Sequence, residues 1–167
     1  MENEKALEIL KSAILMETRG QAFYKNVVDQ TSSPDVKNIF TTMMEEEKLH
    51  ADFLSKQFLS IKHKGTPDQL ALPKETTDNI VNLILSPEIK NQISGAGFEA
   101  AAISASIDME NKAVEIYSNF ANDATDPEIK ELFHWLANWE KGHVKLLNDL
   151  DMELRDKIWF DNQFWPF

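Results

Sequence analysis

Two short stretches carry residues whose types and spacing could do chemistry: EKLH at positions 47–50 and EKGH at positions 140–143. Each places a carboxylate three residues before an imidazole. On a helix, residues three apart lie on one face, so each pair can present an oxygen and a nitrogen to the same point. Each pair is a potential metal chelate, although a single Glu-x-x-His on a charged helix occurs by chance on solvated faces.

The two stretches belong to an internal repeat with an offset of 93 residues. Outside the Glu-x-x-His pairs, this offset aligns identical residues of the two halves: Met16 with Met109, Glu17 with Glu110, Tyr24 with Tyr117, Asn26 with Asn119, Pro34 with Pro127 and Phe40 with Phe133. Chance similarity of helical heptads would align apolar positions, but not also a glutamate, a tyrosine and a turn proline. The chain is therefore predicted to be a duplicated helical hairpin.

Two more carboxylates complete a candidate ligand set. Glu17 and Glu110 each lie among apolar neighbours, in AILMETRG and SIDMENKA, and each precedes the glutamate of its Glu-x-x-His pair by 30 residues. Both hairpins should therefore bring their ligands to one level of a bundle. The predicted metal ligands are Glu17, Glu47, His50, Glu110, Glu140 and His143, which is the ligand set of di-iron and di-manganese carboxylate bundles.

Charge explains why such a set would need metal. Four carboxylates in a dry core lose hydration and repel one another unless cations or protons neutralise them. Two divalent ions would cancel the four charges, with Glu47 and Glu140 bridging, Glu17 and Glu110 terminal, and one histidine on each ion. This mixed ligation suits iron or manganese, and zinc could occupy the site without redox chemistry. The four glutamates are the candidate catalytic residues.

The elements that must position these residues are all helical, because apolar residues recur at helical spacing and not in strand-like alternation. The predicted fold is an antiparallel four-helix bundle over residues 1–155, with two hairpins joined by a long crossover at about 62–97 that contains a short helical pattern at about 75–85. Residues 156–167 form an aromatic tail. The four helices are expected at about 4–30, 34–61, 98–123 and 127–155, with Pro34 and Pro127 in first helical positions.

Several nearby side chains are predicted to have other roles. Tyr24 and Tyr117 each follow a ligand glutamate by seven residues, so their hydroxyls could hold a carboxylate by a hydrogen bond; the alternative is a core tyrosine bonded elsewhere. His63 and His134 have no counterpart in the repeat and are predicted to be non-ligands. Glu45 and Glu46 are predicted to be solvated, because a helix turns them about 200° and 100° away from Glu47.

Composition excludes several classes of function. Twenty-eight acidic residues against 17 Lys and Arg give a formal net charge of −11, which disfavours nucleic acid and anionic membranes as partners. The chain has no cysteine, so disulfides, thiolate nucleophiles and cysteine-ligated iron centres are excluded from these residues. Without a leader pattern or a long apolar run, a soluble cytoplasmic protein is expected. The aromatic tail is expected to fold over the bundle or a dimer contact.

On these residues the chain resembles the rubrerythrin-like branch of the ferritin-like superfamily, over about 4–61 and 98–150. The resemblance rests on the six predicted ligands and the two tyrosines. It implies a non-haem di-iron bundle that reacts with peroxide or dioxygen, often as a homodimer, which the long crossover would allow to be hairpin-swapped. Two departures stand out. A cysteine-ligated rubredoxin domain is absent, so an external donor would supply electrons, and Ile107 stands where these enzymes carry an additional glutamate. Asp108 points about 100° away from that position.

Three functions remain open from the sequence. The first is an oxidoreductase that reduces hydrogen peroxide or oxidises Fe(II) with dioxygen. The second is a metal-binding or iron-handling bundle with little or no turnover, which the missing cysteine and Ile107 favour. The third is an adaptor bundle that uses its aromatic tail, and this reading leaves four inward glutamates unexplained.

Overall fold

A computed structural model of the chain describes residues 2–68 and 97–161. These residues form four helices, and no strand lies within the described ranges: α1 (Glu2–Gln30), α2 (Pro34–Lys64), α3 (Phe98–Asp123) and α4 (Pro127–Asp161). The all-α prediction is confirmed. Within the same ranges, no helix combines the length and apolar character that a bilayer crossing requires.

The helices pack as two antiparallel hairpins. Helix α1 packs along α2, α3 packs along α4, and α1 also contacts α3. The predicted architecture of a four-helix bundle made from two hairpins is confirmed. Antiparallel pairing follows from the short connections at 31–33 and 124–126, because so few residues cannot return a chain to the far end of a helix of this length.

Both short turns carry the helix-start residues that the sequence indicated. Ser33 adopts extended backbone angles, its side chain accepts a hydrogen bond from the Val36 amide, and Pro34 occupies the first turn of α2. In the second turn, Asp126 Oδ1 accepts from the amides of Glu128 and Ile129 at 2.8 and 3.3 Å. These contacts satisfy amide groups that a helix N-terminus leaves without intrahelical partners.

Two helices end later than predicted. Helix α2 continues to Lys64, where Gly65 terminates it with φ of 81° and donates its amide to Ile61 O. This left-handed conformation favours glycine, and it places the end three residues beyond the predicted one. Helix α4 continues to Asp161, so the first half of the predicted aromatic tail is helical. The predicted crossover helix at about 75–85 and the tail end at 162–167 lie outside the described residues.

The apolar core consists of two clusters, one towards each end of the bundle. Cluster one contains Tyr24, Phe40 and Met43 with residues from the start of α3 and the end of α4. Cluster two contains Leu10, Tyr117 and Phe133 with residues from the end of α2. The repeat places Tyr24 against Phe40 in cluster one and Tyr117 against Phe133 in cluster two, with ring centroids 5.7 and 6.0 Å apart. The level between the clusters is where charged groups enter the core.

We expect Phe40→Ala to lower the free energy of unfolding by about 3–5 kcal/mol, because it removes a fully buried ring and leaves a cavity in cluster one. Phe98→Ala is the matched control, since Phe98 is 42% exposed at the start of α3 and should cost less than about 1 kcal/mol. Urea unfolding followed by circular dichroism measures both changes. Equal losses for the two variants would contradict the assignment of Phe40 to the core.

Candidate metal centre

Six ionisable side chains from all four helices meet in the middle of the bundle, between the two apolar clusters. Each is at most 3% exposed. Helix α1 supplies one carboxylate, α2 a Glu-x-x-His pair, α3 one carboxylate and α4 the second Glu-x-x-His pair. The residues are Glu17, Glu47, His50, Glu110, Glu140 and His143. All six predicted ligands are therefore brought together.

The six residues form two groups of four that share two members. The first group is Glu17, Glu47, His50 and Glu140, and the second is Glu47, Glu110, Glu140 and His143. Within each group, one nitrogen or oxygen atom from every residue lies within 4.8 Å of the others. Glu47 and Glu140 belong to both groups, so each has a carboxylate that can reach two neighbouring cations. Each group takes residues from both hairpins.

The histidines direct their Nδ1 atoms at the carboxylates. His50 Nδ1 lies 3.1 Å from Glu17 Oε2 and 3.1 Å from Glu140 Oε1. His143 Nδ1 lies 2.9 Å from Glu140 Oε2 and 3.7 Å from Glu110 Oε1. Since Glu140 contacts both imidazoles, it occupies the centre of the cluster.

Unpartnered polar atoms test whether the cluster suits a cation. Buried polar atoms are normally hydrogen-bonded. Among the described residues, the buried side-chain atoms without a hydrogen-bond partner are Glu47 Oε1, His50 Nε2, Glu140 Oε1 and Oε2, and His143 Nδ1. Three of these five are carboxylate oxygens and all belong to the two groups. Carboxylate oxygen and imidazole nitrogen are the ligand atoms that divalent iron, manganese or zinc accepts, so the residues fit a metal centre.

Each tyrosine hydroxyl donates to a glutamate of the opposite hairpin. Tyr24 on α1 donates to Glu110 Oε1 on α3, and Tyr117 on α3 donates to Glu17 Oε1 on α1. Both tyrosines are fully buried. Glu17 and Glu110 are the two glutamates that belong to only one group each. The tyrosine bonds hold one carboxylate oxygen of each, and the second oxygen accepts no hydrogen bond from a tyrosine. The sequence indicated a tyrosine–carboxylate bond but not that it would cross between hairpins.

Burial dominates the electrostatics of three carboxyl groups. Loss of solvation raises the pKa of Glu17 and Glu47 well above the usual carboxyl range, and repulsion from neighbouring carboxylates adds to this. Burial and the neighbouring Glu140 charge raise the pKa of Glu110 to about 7. Without a cation, these groups therefore retain protons at pH values where exposed carboxyls are ionised.

Glu140 behaves differently because both imidazoles surround it. Burial acts to raise the pKa of Glu140, but His143 and His50 outweigh it and lower that pKa below its usual value. Burial acts to lower the pKa of His50 and His143, and attraction to Glu140 outweighs it and raises both. In metal-free protein these shifts favour an anionic Glu140 and protonated imidazoles, and metal ions would have to displace those protons.

The prediction that Glu46 is solvated is wrong. Glu46 is 2% exposed, and its Oε2 lies 2.5 Å from His143 Nε2 and accepts from Trp139 Nε1 at 3.3 Å. The 100° turn from Glu47 aims it not at solvent but at the Trp139 and His143 side chains of α4. The repeat contained a usable signal, because it aligns Glu46 with a tryptophan, and a large aromatic at the equivalent position indicates the bundle interior. Glu45 is exposed, as predicted.

The other positions considered from the sequence lie outside the centre. His63 and His134 are exposed and belong to neither group of candidate ligands. Ile107 packs against cluster one, and Asp108 is exposed on the far side of α3. Within the described residues, no further carboxylate on α3 therefore takes the place of Ile107.

One small pocket reaches the centre from the side where α1 and α3 face each other. Its lining consists of repeat-related pairs: Met16 and Met109, Glu17 and Glu110, Gly20 and Ala113, Glu47 and Glu140. At Gly20 the fit is close, because a Cβ atom there would lie 3.1 Å from Glu47 Oε2 and 3.2 Å from its Cδ. The absence of a side chain at residue 20 thus leaves room for the Glu47 carboxylate beside the pocket.

We expect the metal-free protein to lose stability as pH rises from about 5 to 8. Groups whose pKa is raised by folding stabilise the fold below their unfolded pKa, and that contribution is lost as pH rises through the folded pKa. For Glu110 this window runs from 4.5 to about 7, and Glu17, Glu47 and both histidines add losses of the same sign. The pKa of Glu140 is lowered by folding, so its contribution to stability changes only below pH 4.5.

Urea unfolding of chelator-treated protein at several pH values measures this trend, with a slope of about 1.4 kcal/mol per pH unit for each excess proton held by the folded state. Glu47→Gln removes one such proton and should flatten the slope. A free energy of unfolding that rises with pH over this range would contradict the protonated cluster.

Comparisons with known proteins agree with this geometry. A family model described as rubrerythrin matches residues 8–91 and 102–160, which include all six ligand candidates. An uncharacterized protein of Archaeoglobus fulgidus is 44% identical over 43 residues, which are 26% of this chain and 67% of that protein. A solved structure, a hypothetical protein from Pyrococcus furiosus, has a similar fold with a TM-score of 0.60 and 24% identity over 90% of both chains. Since the family match spans both hairpins, the chain belongs to the rubrerythrin family, and this membership implies a ferritin-like, di-iron protein.

Proposed function

We propose that the protein is a non-haem di-iron oxidoreductase that reduces hydrogen peroxide or oxidises Fe(II) with dioxygen. Two ferrous ions, when bound, would supply the two electrons that convert one hydrogen peroxide and two protons into two waters. The proposed ligands are Glu17, Glu47, His50, Glu110, Glu140 and His143. Manganese or zinc could occupy the same ligands, but zinc would supply no redox chemistry.

The observation that carries the proposal is the sharing of Glu47 and Glu140 between two four-residue groups. A single structural cation would need only one such group. Two groups with two carboxylates in common fit a pair of adjacent ions, and the four carboxylates match the charge of two divalent ions. Two adjacent ferrous ions could together deliver two electrons to one small oxidant, with each ion giving one electron as Fe(II) becomes Fe(III).

The residues of this centre have three roles: they would bind the ions, orient the ligand carboxylates and exclude water. Glu47 and Glu140 would serve both ions, while Glu17 and Glu110 would serve one each. The Tyr117 and Tyr24 hydroxyls hold these last two carboxylates from the opposite hairpin. Apolar clusters lie on both sides of the centre, so a reacting molecule there would meet few competing solvent molecules.

The pocket favours a small substrate. Its walls are the Met16 and Met109 side chains with Gly20 and Ala113, and its inner end is formed by four of the ligand carboxylates. Hydrogen peroxide and dioxygen are small molecules, which suits a small pocket lined by the ligand carboxylates. The pocket thus supports an inorganic oxidant for either version of the proposed reaction.

Turnover also needs a source of electrons. These 167 residues contain no cysteine, so a cysteine-ligated relay would have to come from outside them. We propose an external donor protein in the cytoplasm. We also propose a homodimer, with exchange of hairpins through the crossover as one arrangement of it.

The alternative is a metal-binding or iron-handling bundle with little turnover. Ile107 favours it, because an apolar side chain packs at the position where the rubrerythrin-like enzymes that the chain resembles carry an additional glutamate. In this case the ions chiefly neutralise the buried carboxylates and join the hairpins. Reaction with peroxide distinguishes the two functions. Both require bound metal, but only the oxidoreductase requires that peroxide oxidise the bound iron.

An anaerobic titration of metal-free protein with Fe(II) should show a break at about two irons per chain. Glu110→Ala and Glu140→Ala should both lower this number, because each removes a ligand that neither hairpin can replace. Glu45→Ala, an exposed change on α2, should leave it unaltered. If the protein binds no iron, or both ligand variants bind as the parent does, the metal centre is not at these residues.

Peroxide should oxidise the di-ferrous protein faster than it oxidises free Fe(II) in the same buffer, by about tenfold or more, because the ligand set would stabilise the ferric product. Stopped-flow absorbance measures the rate, with dioxygen as the second oxidant. Oxidation no faster than in buffer by either oxidant would exclude the oxidoreductase and leave the metal-binding alternative.

A further inference from the structure

The two halves of the metal centre differ at a pair of repeat-related positions beside the histidines. The offset of 93 aligns Glu46 on α2 with Trp139 on α4, each directly before the glutamate of a Glu-x-x-His pair. Both side chains are 2% exposed. A carboxylate therefore stands in one half of the buried centre where an indole stands in the other.

In the half that contains His143, the imidazole is held on both sides. Its Nδ1 faces the centre, 2.9 Å from Glu140 Oε2, and its Nε2 lies 2.5 Å from Glu46 Oε2. Trp139 Nε1 donates to the same Glu46 oxygen at 3.3 Å. Glu46 thus fixes the outer nitrogen of His143, and the indole in turn anchors Glu46.

In the half that contains His50, the outer nitrogen has no such partner. His50 Nδ1 faces Glu17 and Glu140, while its buried Nε2 lacks a hydrogen-bond partner. Its ring packs edge-on against Trp139 and Trp135, with centroids 4.8 and 5.9 Å away. Packing holds this ring in place, and no carboxylate of residues 2–68 or 97–161 is hydrogen-bonded to its outer nitrogen.

This difference changes how well each imidazole binds a cation. A carboxylate on the outer nitrogen fixes the tautomer and makes the inner nitrogen a stronger donor to metal. Its negative charge also attracts a cation in the poorly screened interior. Both effects act on His143, and neither is available to His50.

We infer that the two metal positions are inequivalent, and that Glu46 is a positioning residue that makes the position with His143 the tighter of the two. This position uses Glu47, Glu110, Glu140 and His143, and it fills first. The position with Glu17 and His50 fills second. The inference rests on the proposed function, because it requires two ions to bind at these groups.

The test is an anaerobic calorimetric titration of metal-free protein with Co(II), which resists air oxidation better than Fe(II). The wild-type protein should bind two ions in steps whose dissociation constants differ by about tenfold or more. Glu46→Gln keeps the size and an acceptor oxygen but removes the charge. It should weaken the tighter step by about 10–100-fold and change the weaker step by less than about threefold.

Glu45→Gln is the matched control, because it removes the same charge from the adjacent, exposed position of the same helix. Both of its steps should equal those of the wild-type protein. Circular dichroism of each variant checks that the bundle is folded before titration. A merely structural loosening by Glu46→Gln would weaken both steps, whereas the loss of a positioning contact weakens one.

Two histidine variants assign the steps independently of Glu46. His143→Ala should remove the tighter step and His50→Ala the weaker one. Two equal steps in the wild-type protein, equal effects of Glu46→Gln on both steps or none on either, or the reverse assignment by the histidine variants, would each overturn the inference. Failure of the wild-type protein to bind Co(II) at all would instead remove the proposed metal centre, so the two failures are distinguishable.

Discussion

Repulsion among four buried carboxyl groups is the constraint on which the rest of this structure depends. Glu17, Glu47, Glu110 and Glu140 lie within one small volume, and only two imidazoles carry compensating positive charge. In metal-free protein, burial and then repulsion from Glu140 raise the pKa of Glu110 to about 7, so protons relieve part of the unfavourable charge. The apolar clusters above and below must hold four helices together across this unfavourable layer. Their large buried rings, repeated in both hairpins, are the physical means by which they do so.

Much of this arrangement was predictable because the same pattern of residues occurs in both halves of the sequence. One Glu-x-x-His carries little information, but a second in register, with matched glutamates and tyrosines, fixes which helix faces point inwards. Helix starts were equally readable, since Ser33, Pro34 and Pro127 act through local backbone chemistry. Predictions succeeded where the repeat marks the inner face of each helix, or where local backbone chemistry sets the start of a helix.

The failures concern contacts between hairpins. Glu46 was assigned to solvent from its angle to Glu47, but the angle alone does not say which helix lies beside that flank. The sequence predicted that each tyrosine could hold a carboxylate, but not that this carboxylate belongs to the opposite hairpin, because periodicity gives the inner face of a helix and not its neighbour. The predicted ends of two helices were wrong for a different reason. Helix α2 continues until Gly65 adopts a left-handed conformation, and Lys62 and His63 were equally compatible with helix and with the start of the crossover.

Every candidate metal position draws on both hairpins, and both tyrosine bonds cross between them. In evolutionary terms, an ancestral single hairpin could have completed this centre only by pairing with a second copy of itself. Both halves would then have carried the same side chain at every position, and any change would have appeared twice. In a single chain the two residues of each repeat-related pair can differ. Gly20 leaves room for the Glu47 carboxylate, while its counterpart Ala113 carries a methyl group, so the two halves of the centre need not be identical.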